Sequence, residues 1–334
     1  HKDLKTFTVA VPEAGLNEGP KAKQIADYLG TTHTEITCDL HEALQVIPML
    51  PTIYDEPFAD SSAIPTFLVA KHAANSVKVA LSADGGVEFF AGYNRYPYYS
   101  RIPNAVRFLP SVLGSSIANA IGFSGLSGLN AQRVQKFARL MSDFSVESYM
   151  HAMITSMSND QLNKLIIQRN IPEKLPFYEG RSPLATMLLN DSINYLPNDI
   201  LHKVDRATMA VGLEGREPFL DHDLFEFLAQ VPDHYKCDGK DTKILLKHIA
   251  HELLPPALMQ GPKKGFAIPI AAWMREYLKS ELLDFIEPRF IKEQGIFNGP
   301  ELEREVRSFI NGNDSNSLFI WYYFSFQSWY NQWM

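Results

Sequence analysis

The first third of the chain carries Phe7-Thr8-Val9-Ala10-Val11, then Pro20-Lys21-Ala22-Lys23-Gln24-Ile25-Ala26-Asp27-Tyr28-Leu29-Gly30, then Thr32-His33-Thr34-Glu35-Ile36-Thr37. The first run is short, apolar and β-branched, the composition of a buried strand. In the second, Ala22, Ile25, Ala26 and Leu29 recur at helical spacing, and Gly30 is placed as the left-handed stop of a helix. The third returns to strand composition. Strand, helix and strand in that order predict a parallel pair joined by a crossover.

Further along, Leu40–Leu50 puts Leu44, Ile47 and Leu50 on one helical face. Pro51–Ser62 is a loop, and Ile64–Ala74 reads as a helix with Pro65 in its first turn. Ser76–Ser82 reads as a strand, with Val77, Val79 and Leu81 alternating with Lys78 and Ala80. The order β-α-β-α-α-β predicts an α/β fold, a mostly parallel sheet with helices packed on it. Such sheets bind ligands beyond the carboxyl ends of their strands. Neither G-x-G-x-x-G nor G-x-x-x-x-G-K-[ST] occurs.

Beyond Tyr93 strand signals nearly vanish. Ala131–Met141, Gln161–Gln168, Pro183–Tyr195, Leu224–Ala229, Thr242–Leu254 and Ile270–Phe285 carry helical spacing. In Leu318–Met334, Phe319, Tyr322, Phe326, Trp329, Tyr330 and Trp333 predict a helix packed on the core through that stripe. No basic residue is interleaved there to make a stacking platform for bases. Gly122–Gly128 is the nearest thing to a linker, and the composition turns helical near residue 100.

Of 334 residues, 46% are hydrophobic and 21% charged, which excludes disorder over any large fraction. The net charge of −7, from 31 basic against 38 acidic residues, argues against nucleic acid as the main partner. It leaves room for a local basic cluster that grips phosphate. Two cysteines, Cys38 and Cys237, cannot form a disulfide framework and suit a reducing compartment. No apolar run approaches the roughly 18 residues of a membrane span, and residues 1–5 show no signal-peptide pattern. A cytoplasmic protein without a membrane partner is the expectation.

Three loops carry candidate chemistry. Leu81-Ser82-Ala83-Asp84-Gly85-Gly86-Val87-Glu88-Phe89-Phe90-Ala91-Gly92-Tyr93 follows the third strand directly. Adjacent glycines at a strand end let backbone amides approach an anion, and Asp84 is placed to act as a base or polar anchor. The plainer alternative is an Asp-Gly turn capping a helix. Leu201–Ala210 holds Lys203, Asp205 and Arg206 within about one helical turn and runs into Glu214-Gly215-Arg216-Glu217-Pro218-Phe219-Leu220-Asp221. Charges in so apolar a stretch must be paired, so this segment alone predicts an internal ion-pair network. Gly261-Pro262-Lys263-Lys264-Gly265-Phe266 presents two lysines, suited to a pyrophosphate leaving group or else to a solvated turn. His248 and His251 lack a third ligand nearby and are expected to face solvent. Neither cysteine has a C-x-x-C partner, and there is no G-x-S-x-G elbow.

In this order, the loops together resemble the synthetase domain of glutamine-hydrolysing asparagine synthetases, of the class II glutamine amidotransferase family. The likeness covers most of the chain. It takes in Lys5–Val9, Asn17-Glu18, Leu29–Glu35 and Tyr54-Asp55-Glu56-Pro57-Phe58-Ala59-Asp60-Ser61-Ser62. It continues through the Asp-Gly-Gly loop with Gly92-Tyr93-Asn94-Arg95-Tyr96, then Lys203–Arg206, Glu214–Asp221 and Pro262–Phe266.

The resemblance implies an adenine nucleotide α-hydrolase-like fold, a Rossmann-like parallel sheet with a large helical C-terminal part. Residues 1–100 would be the nucleotide-binding α/β part and residues 101–334 the helical part of the same domain. It implies ATP and Mg²⁺ as cofactors and an acyl-adenylate formed on the side-chain carboxylate of aspartate, with release of pyrophosphate. Ammonia taken from glutamine by an N-terminal glutaminase domain would then attack. Such chemistry needs fixed cations and amides where charge develops on phosphate and on the oxyanion. Residue by residue, Val9 would contact adenine, and Ser82 and Ala83 would lie against the nucleotide through their backbone. Asp84 takes the acidic position associated with deprotonating the attacking ammonia, and Lys263 the position that neutralises pyrophosphate or the oxyanion. Glu214 and Arg216 would support that lysine, with Glu88 and Tyr93 matching the loop. The resemblance leaves room for a homodimer.

Departures from the family pattern S-G-(D/E)-G-(G/S)-D-E-x-F-G-G-Y are Ala83, Val87 and Ala91. Val87 replaces an Asp used near Mg²⁺-pyrophosphate, and valine neither ligates a metal nor accepts a proton. The S-G-G-x-D-S loop of the family belongs upstream of Phe7, and its strand would be central in the sheet. The chain is therefore expected to be a piece of a longer protein or a reduced relative, inactive alone and exposing strand edge and apolar surface. Two other readings stay open: a relative amidating another carboxylate, and a degenerate non-catalytic binding module.

Overall fold

A computed structural model of the chain describes residues 3–12, 17–101, 140, 143–155, 157, 159–167, 176–259 and 268–334. Two compact units share them: His1–Tyr93 with Asp191–Pro269 and Ser328–Met334, and Asn94–Asn190 with Ile270–Gln327.

In the first unit, β1 (Lys5–Ala10) pairs in parallel with β2 (Thr32–Thr37), from Lys5 opposite Thr32 to Ala10 opposite Thr37. Their crossover is α1 (Gly19–Leu29), with Pro20 in its first turn. Gly30 ends it at φ 68°, its N–H reaching the carbonyls of Ala26 and Asp27, as its place in the sequence predicts. α2 (Leu40–Val46) begins where Asp39 accepts the Glu42 N–H at 3.0 Å. After α3 (Leu50–Tyr54), α4 (Ala63–Ala74) buries Ala63 through Leu68, Ala70 and Ala73. A helix apolar on nearly every side becomes a core helix.

β3 (Val79–Leu81) pairs in parallel with β4 (Glu214–Arg216). β3 is shorter than the predicted Ser76–Ser82, and β4 lies in a stretch whose charges read as loop. Parallel pairing is as expected, but the described strands make two separate two-stranded sheets rather than one. Around Ala70 and Ala73 of α4 and Leu213, a single apolar cluster gathers Phe7 of β1 and Val77 and Ala80 of the β3 region. Lys5 Nζ also donates to the Ser76 carbonyl at 3.0 Å. On β3, Val79 and Leu81 are exposed, Leu81 at 71%.

The second unit is helical among its described residues. Met187, Trp273, Met274, Leu282, Leu302, Val306, Phe309, Ile320 and Phe324 are buried in it. The helix Ser317–Trp333 corrects the expected aromatic stripe. Its buried side chains are Phe319, Ile320, Trp321, Tyr323, Phe324, Ser325 and Gln327, whereas Tyr322 and Trp333 are exposed. Gln327 decides the face, because its amide pairs reciprocally with Gln294 at 2.8 and 3.0 Å and is fully buried. Among the described residues no helix is long and apolar enough to cross a membrane.

Candidate functional site

The turn after β3 is built by the register of β3 on β4. Leu81 opposite Arg216 lets the Ser82 N–H donate to the Arg216 carbonyl at 3.0 Å. Ser82 Oγ donates to Asp84 Oδ2 at 2.6 Å and also hydrogen-bonds Glu217, the residue that leaves β4. Burial, then the Asp84 charge, push the Glu217 carboxyl above its ordinary range. Ser82 pulls against them and Asp205 adds to them. Asp84 is held by a hydroxyl and caps no helix: α5 (Gly86–Phe89) has Gly85 at its N-cap and no side-chain cap bond.

The double glycine has a packing cause. Gly85 has φ 85°, and a Cβ on it would fall 2.6 Å from Leu220 Cδ2. A Cβ on Gly86 would fall 3.0 Å from the Phe219 ring, and the Gly86 N–H already donates to the Ala83 carbonyl at 3.1 Å. Phe89, Phe90, Leu196 and Leu228 continue this contact as one apolar cluster. Close approach to Phe219 and Leu220 thus gives a packing reason for glycines for which the sequence offered either an anion cradle or an Asp-Gly turn.

Glu88, next in the loop, is 1% exposed, and Tyr93 Oη donates to its Oε1 at 2.5 Å. Lys243 faces it: burial lowers the Lys243 ammonium pKa, the Glu88 carboxylate opposes that, and Lys247 reinforces the lowering. Lys243 Cε fills the space a Gly92 side chain would need. Ala91, standing where the family has glycine, is fully buried at φ 58°. That conformation costs an L-residue about 1–2 kcal/mol, of which the buried methyl returns about 0.8. Alanine is tolerable there for that reason.

The Lys-Val-Asp-Arg segment forms a second polar centre in the same unit. Lys203, 7% exposed on the helix His202–Met209, reaches Asp60 Oδ2 at 2.6 Å. The Ser62 N–H and Oγ hold the same carboxylate at 2.9 and 2.7 Å, and Tyr54 Oη donates to the Lys203 carbonyl at 3.3 Å. Burial works to raise Asp60, but Lys203 and these hydrogen bonds outweigh it and hold the carboxyl below its usual range. Asp199 hydrogen-bonds Asp60 from the π-helix Asp191–Leu201, which carries Pro197 inside it. Burial, then the Asp60 charge, push Asp199 up to about 7, with Lys203 acting against them. Of the internal ion-pair network predicted for this segment, the Lys203 part is present, whereas Glu214 and Arg216 pair at the surface. The acidic partners of Lys203 lie more than a hundred residues upstream or on the neighbouring π-helix.

The sign of the pH dependence follows. Between the ordinary Asp range near 4 and about 7, the native state keeps a proton on Asp199 that the unfolded chain has released, so stability falls as pH rises through that window. Asp199→Asn, which mimics the protonated acid, is expected to remove that slope. Denaturant unfolding of both proteins should agree near pH 4 and favour Asn above pH 7; parallel curves would refute the shift.

Among residues singled out from the sequence, Ser82, Ala83 and Asp84 share one turn, and Val9 is buried near the carboxyl end of β1 in the same unit. Lys263 and the rest of Gly261–Phe266 lie outside the described residues, as do Gly122–Gly128 and most of Ala131–Met141. Glu214 and Arg216 form an ion pair at 2.7 Å with side chains 57% and 62% exposed, a surface pair of about 0–1 kcal/mol. His248 and His251 are exposed, and Cys38 and Cys237 are buried free thiols. For Mg²⁺, no described group of three or more His, Cys, Asp or Glu side chains can hold a metal ion. Val87 offers no oxygen, and Glu88 is engaged by Tyr93. These residues do not make a protein-built Mg²⁺ cage.

Glu217, Asp60, Asp199 and Lys243 were not legible as site residues. A Glu before Pro-Phe-Leu carries no signal until β3 and β4 pair, and Asp60 is separated from Lys203 by 143 positions.

Residues 1–331 match the asparagine synthase family model. The chain is 29% identical over 294 residues to asparagine synthetase [glutamine-hydrolyzing] 1 of Bacillus subtilis, covering 86% of this chain and 46% of that protein. It is 30% identical over 298 residues to a putative asparagine synthetase [glutamine-hydrolyzing] of Mycobacterium bovis, covering 84% and 43%. An amidase of Gibberella zeae is 23% identical over 320 residues, covering 87% and 47%. The chain spans about half the length of these relatives.

Proposed function

We propose, from the premise that this chain belongs to the asparagine synthase family, that it is the synthetase part of an ATP-dependent ligase forming asparagine from aspartate. Its nucleotide-binding part would have the adenine nucleotide α-hydrolase-like fold, with residues 1–100 as the α/β part and residues 101–334 as the helical part. An oxygen of the aspartate side-chain carboxylate would attack the α-phosphorus of ATP, expelling pyrophosphate and leaving an acyl-adenylate. Ammonia, supplied from glutamine by a glutaminase domain, would attack the acyl carbon. One N–H proton would pass to Asp84, and AMP would leave as the carbon–oxygen bond breaks.

The carrying observation is the Ser82–Asp84 hydrogen bond at the carboxyl end of β3. It supports Asp84 as an oriented base where parallel strands offer ligands a site. Val9 would lie against adenine, Ser82 and Ala83 along the nucleotide, and Lys263 at the departing pyrophosphate. A second reading, a degenerate non-catalytic binding module, is favoured by Val87, which offers no oxygen where the resemblance expects an Asp.

The test is pyrophosphate and asparagine production by the full-length protein with ATP, Mg²⁺, L-aspartate and either glutamine or ammonia, with Val87→Asp alongside. Aspartate-dependent release with asparagine formed is the expected result. Recovery only in Val87→Asp would mean a decayed site, and silence from both would favour another acceptor or a non-catalytic role.

A further inference from the structure

We propose that Arg206 binds the acceptor through its second carboxylate, the α-carboxylate of aspartate; this deepens the amide-forming reading and rests on it. Arg206 lies three residues after Lys203 on the helix His202–Met209, so the two side chains share a face. Lys203 is neutralised there by Asp60 at 2.6 Å. Arg206 is not satisfied in the same way. Its Nη1 stands 3.8 Å from Asp55 Oδ2, beyond hydrogen-bond range, and its Nε is buried with no hydrogen-bond partner. A guanidinium carries five donors in a rigid fork that fits two carboxylate oxygens, and a buried donor left unmade is costly. An outside carboxylate would supply the acceptors. The Arg206 side chain is 36% exposed, so such a ligand can reach it from solvent.

Asp55 is kept from closing the gap itself. It is the centre of a γ-turn, at φ 58° and ψ −38°, closed by the Glu56 N–H on the Tyr54 carbonyl at 2.5 Å. That backbone is strained for an L-residue. The Trp329 indole N–H donates to the Asp55 carbonyl at 2.5 Å and holds the turn from outside. Further on, Phe58 stacks on Tyr54 with ring centroids 4.6 Å apart, and Lys203 and Ser62 fix Asp60. With the loop pinned at both ends, the fork stays set for an anion from outside the chain. Asp55 and Asp205 leave its neighbourhood without excess positive charge, which disfavours a polyphosphate and suits the single carboxylate of a zwitterion. The helix also runs into β4: Thr208 Cγ2 lies 3.7 Å from where a Gly215 Cβ would stand, and β4 pairs with the strand leading into Ser82 and Asp84.

The experiment uses the full-length protein labelled with nitrogen-15 arginine, with Arg206→Gln and Arg206→Lys alongside. The Arg206 Nε–H resonance, assigned by its absence from either variant, should shift on titration with L-aspartate. β-Alanine keeps the amine and the carboxylate to be amidated but lacks the second carboxylate, so it should leave the resonance unmoved. Inorganic pyrophosphate should do the same. A shift with pyrophosphate alone, an equal shift with β-alanine, or no shift with any probe overturns the proposal. In aspartate-dependent ATP–pyrophosphate exchange, Arg206→Gln should raise the KM for L-aspartate roughly 10²-fold, the scale of a lost charge-assisted pair, with the KM for ATP unchanged. Arg206→Lys keeps the charge without the fork and should raise it about 10-fold. A wild-type KM for L-aspartate in Arg206→Gln refutes the assignment, and an equal rise in the KM for ATP refutes it by marking a structural role. A wild type that shows the aspartate shift but forms no asparagine sinks the amide-forming reading and leaves Arg206 as an amino-acid site.

Discussion

Replacing Lys203 with methionine is expected to destabilise the protein by about 3–5 kcal/mol, a large part of the 5–15 kcal/mol that holds a typical domain folded. Lys203 is buried, and its ammonium is the cation beside Asp60, 2.6 Å away. Methionine fills much the same volume, so the loss is electrostatic: the half-buried Asp60 carboxylate is left without its cation beside Asp199. The deficit should be largest near neutral pH. Asp60 sits below its ordinary range when paired, so the stability it contributes is present above about pH 4 and lost as pH falls through the folded value. The Lys203→Met deficit should shrink in acid accordingly. The double variant Lys203→Met with Asp60→Asn should recover much of the loss, because position 60 no longer carries an unpaired charge. Denaturant unfolding of the set decides it. A single-variant cost under about 1 kcal/mol would mean that the pair behaves like a surface ion pair.

Asp84→Asn is expected to lower the rate of amide formation by about 10²–10⁴-fold, the usual contribution of a general base. Asparagine is isosteric with aspartate and can still accept from Ser82, so the turn should persist and only proton acceptance be lost. Aspartate-dependent ATP–pyrophosphate exchange precedes the attack of ammonia and should remain. Ser82→Ala removes the 2.6 Å hydrogen bond but leaves the carboxylate, and should cost less than Asp84→Asn. Equal losses of exchange and amide formation in Asp84→Asn would assign Asp84 to binding instead of proton transfer.

The sequence determined the local elements through short-range physics. Apolar β-branched runs made β1 and β2, Gly30 ended α1 because only a left-handed residue closes that turn, and the nearly all-apolar Ile64–Ala74 became a buried helix. It also marked the Ser82–Asp84 turn and the charged Lys203 segment, because polar residues in an apolar setting must be partnered. What it could not determine are relations between residues far apart in the chain. The helix Ser317–Trp333 presents its Gln327 face inward because Gln294 waits there with a matching amide, a fact absent from the helix's own aromatic spacing. The glycines after Asp84 are required by Phe219 and Leu220, Lys203 finds Asp60 across 143 residues, and Glu217 meets Ser82 only when β4 lies alongside β3. Periodicity and turn chemistry are written within a few residues. Counter-charges and hydrogen-bond partners are chosen by burial, which only the tertiary structure sets.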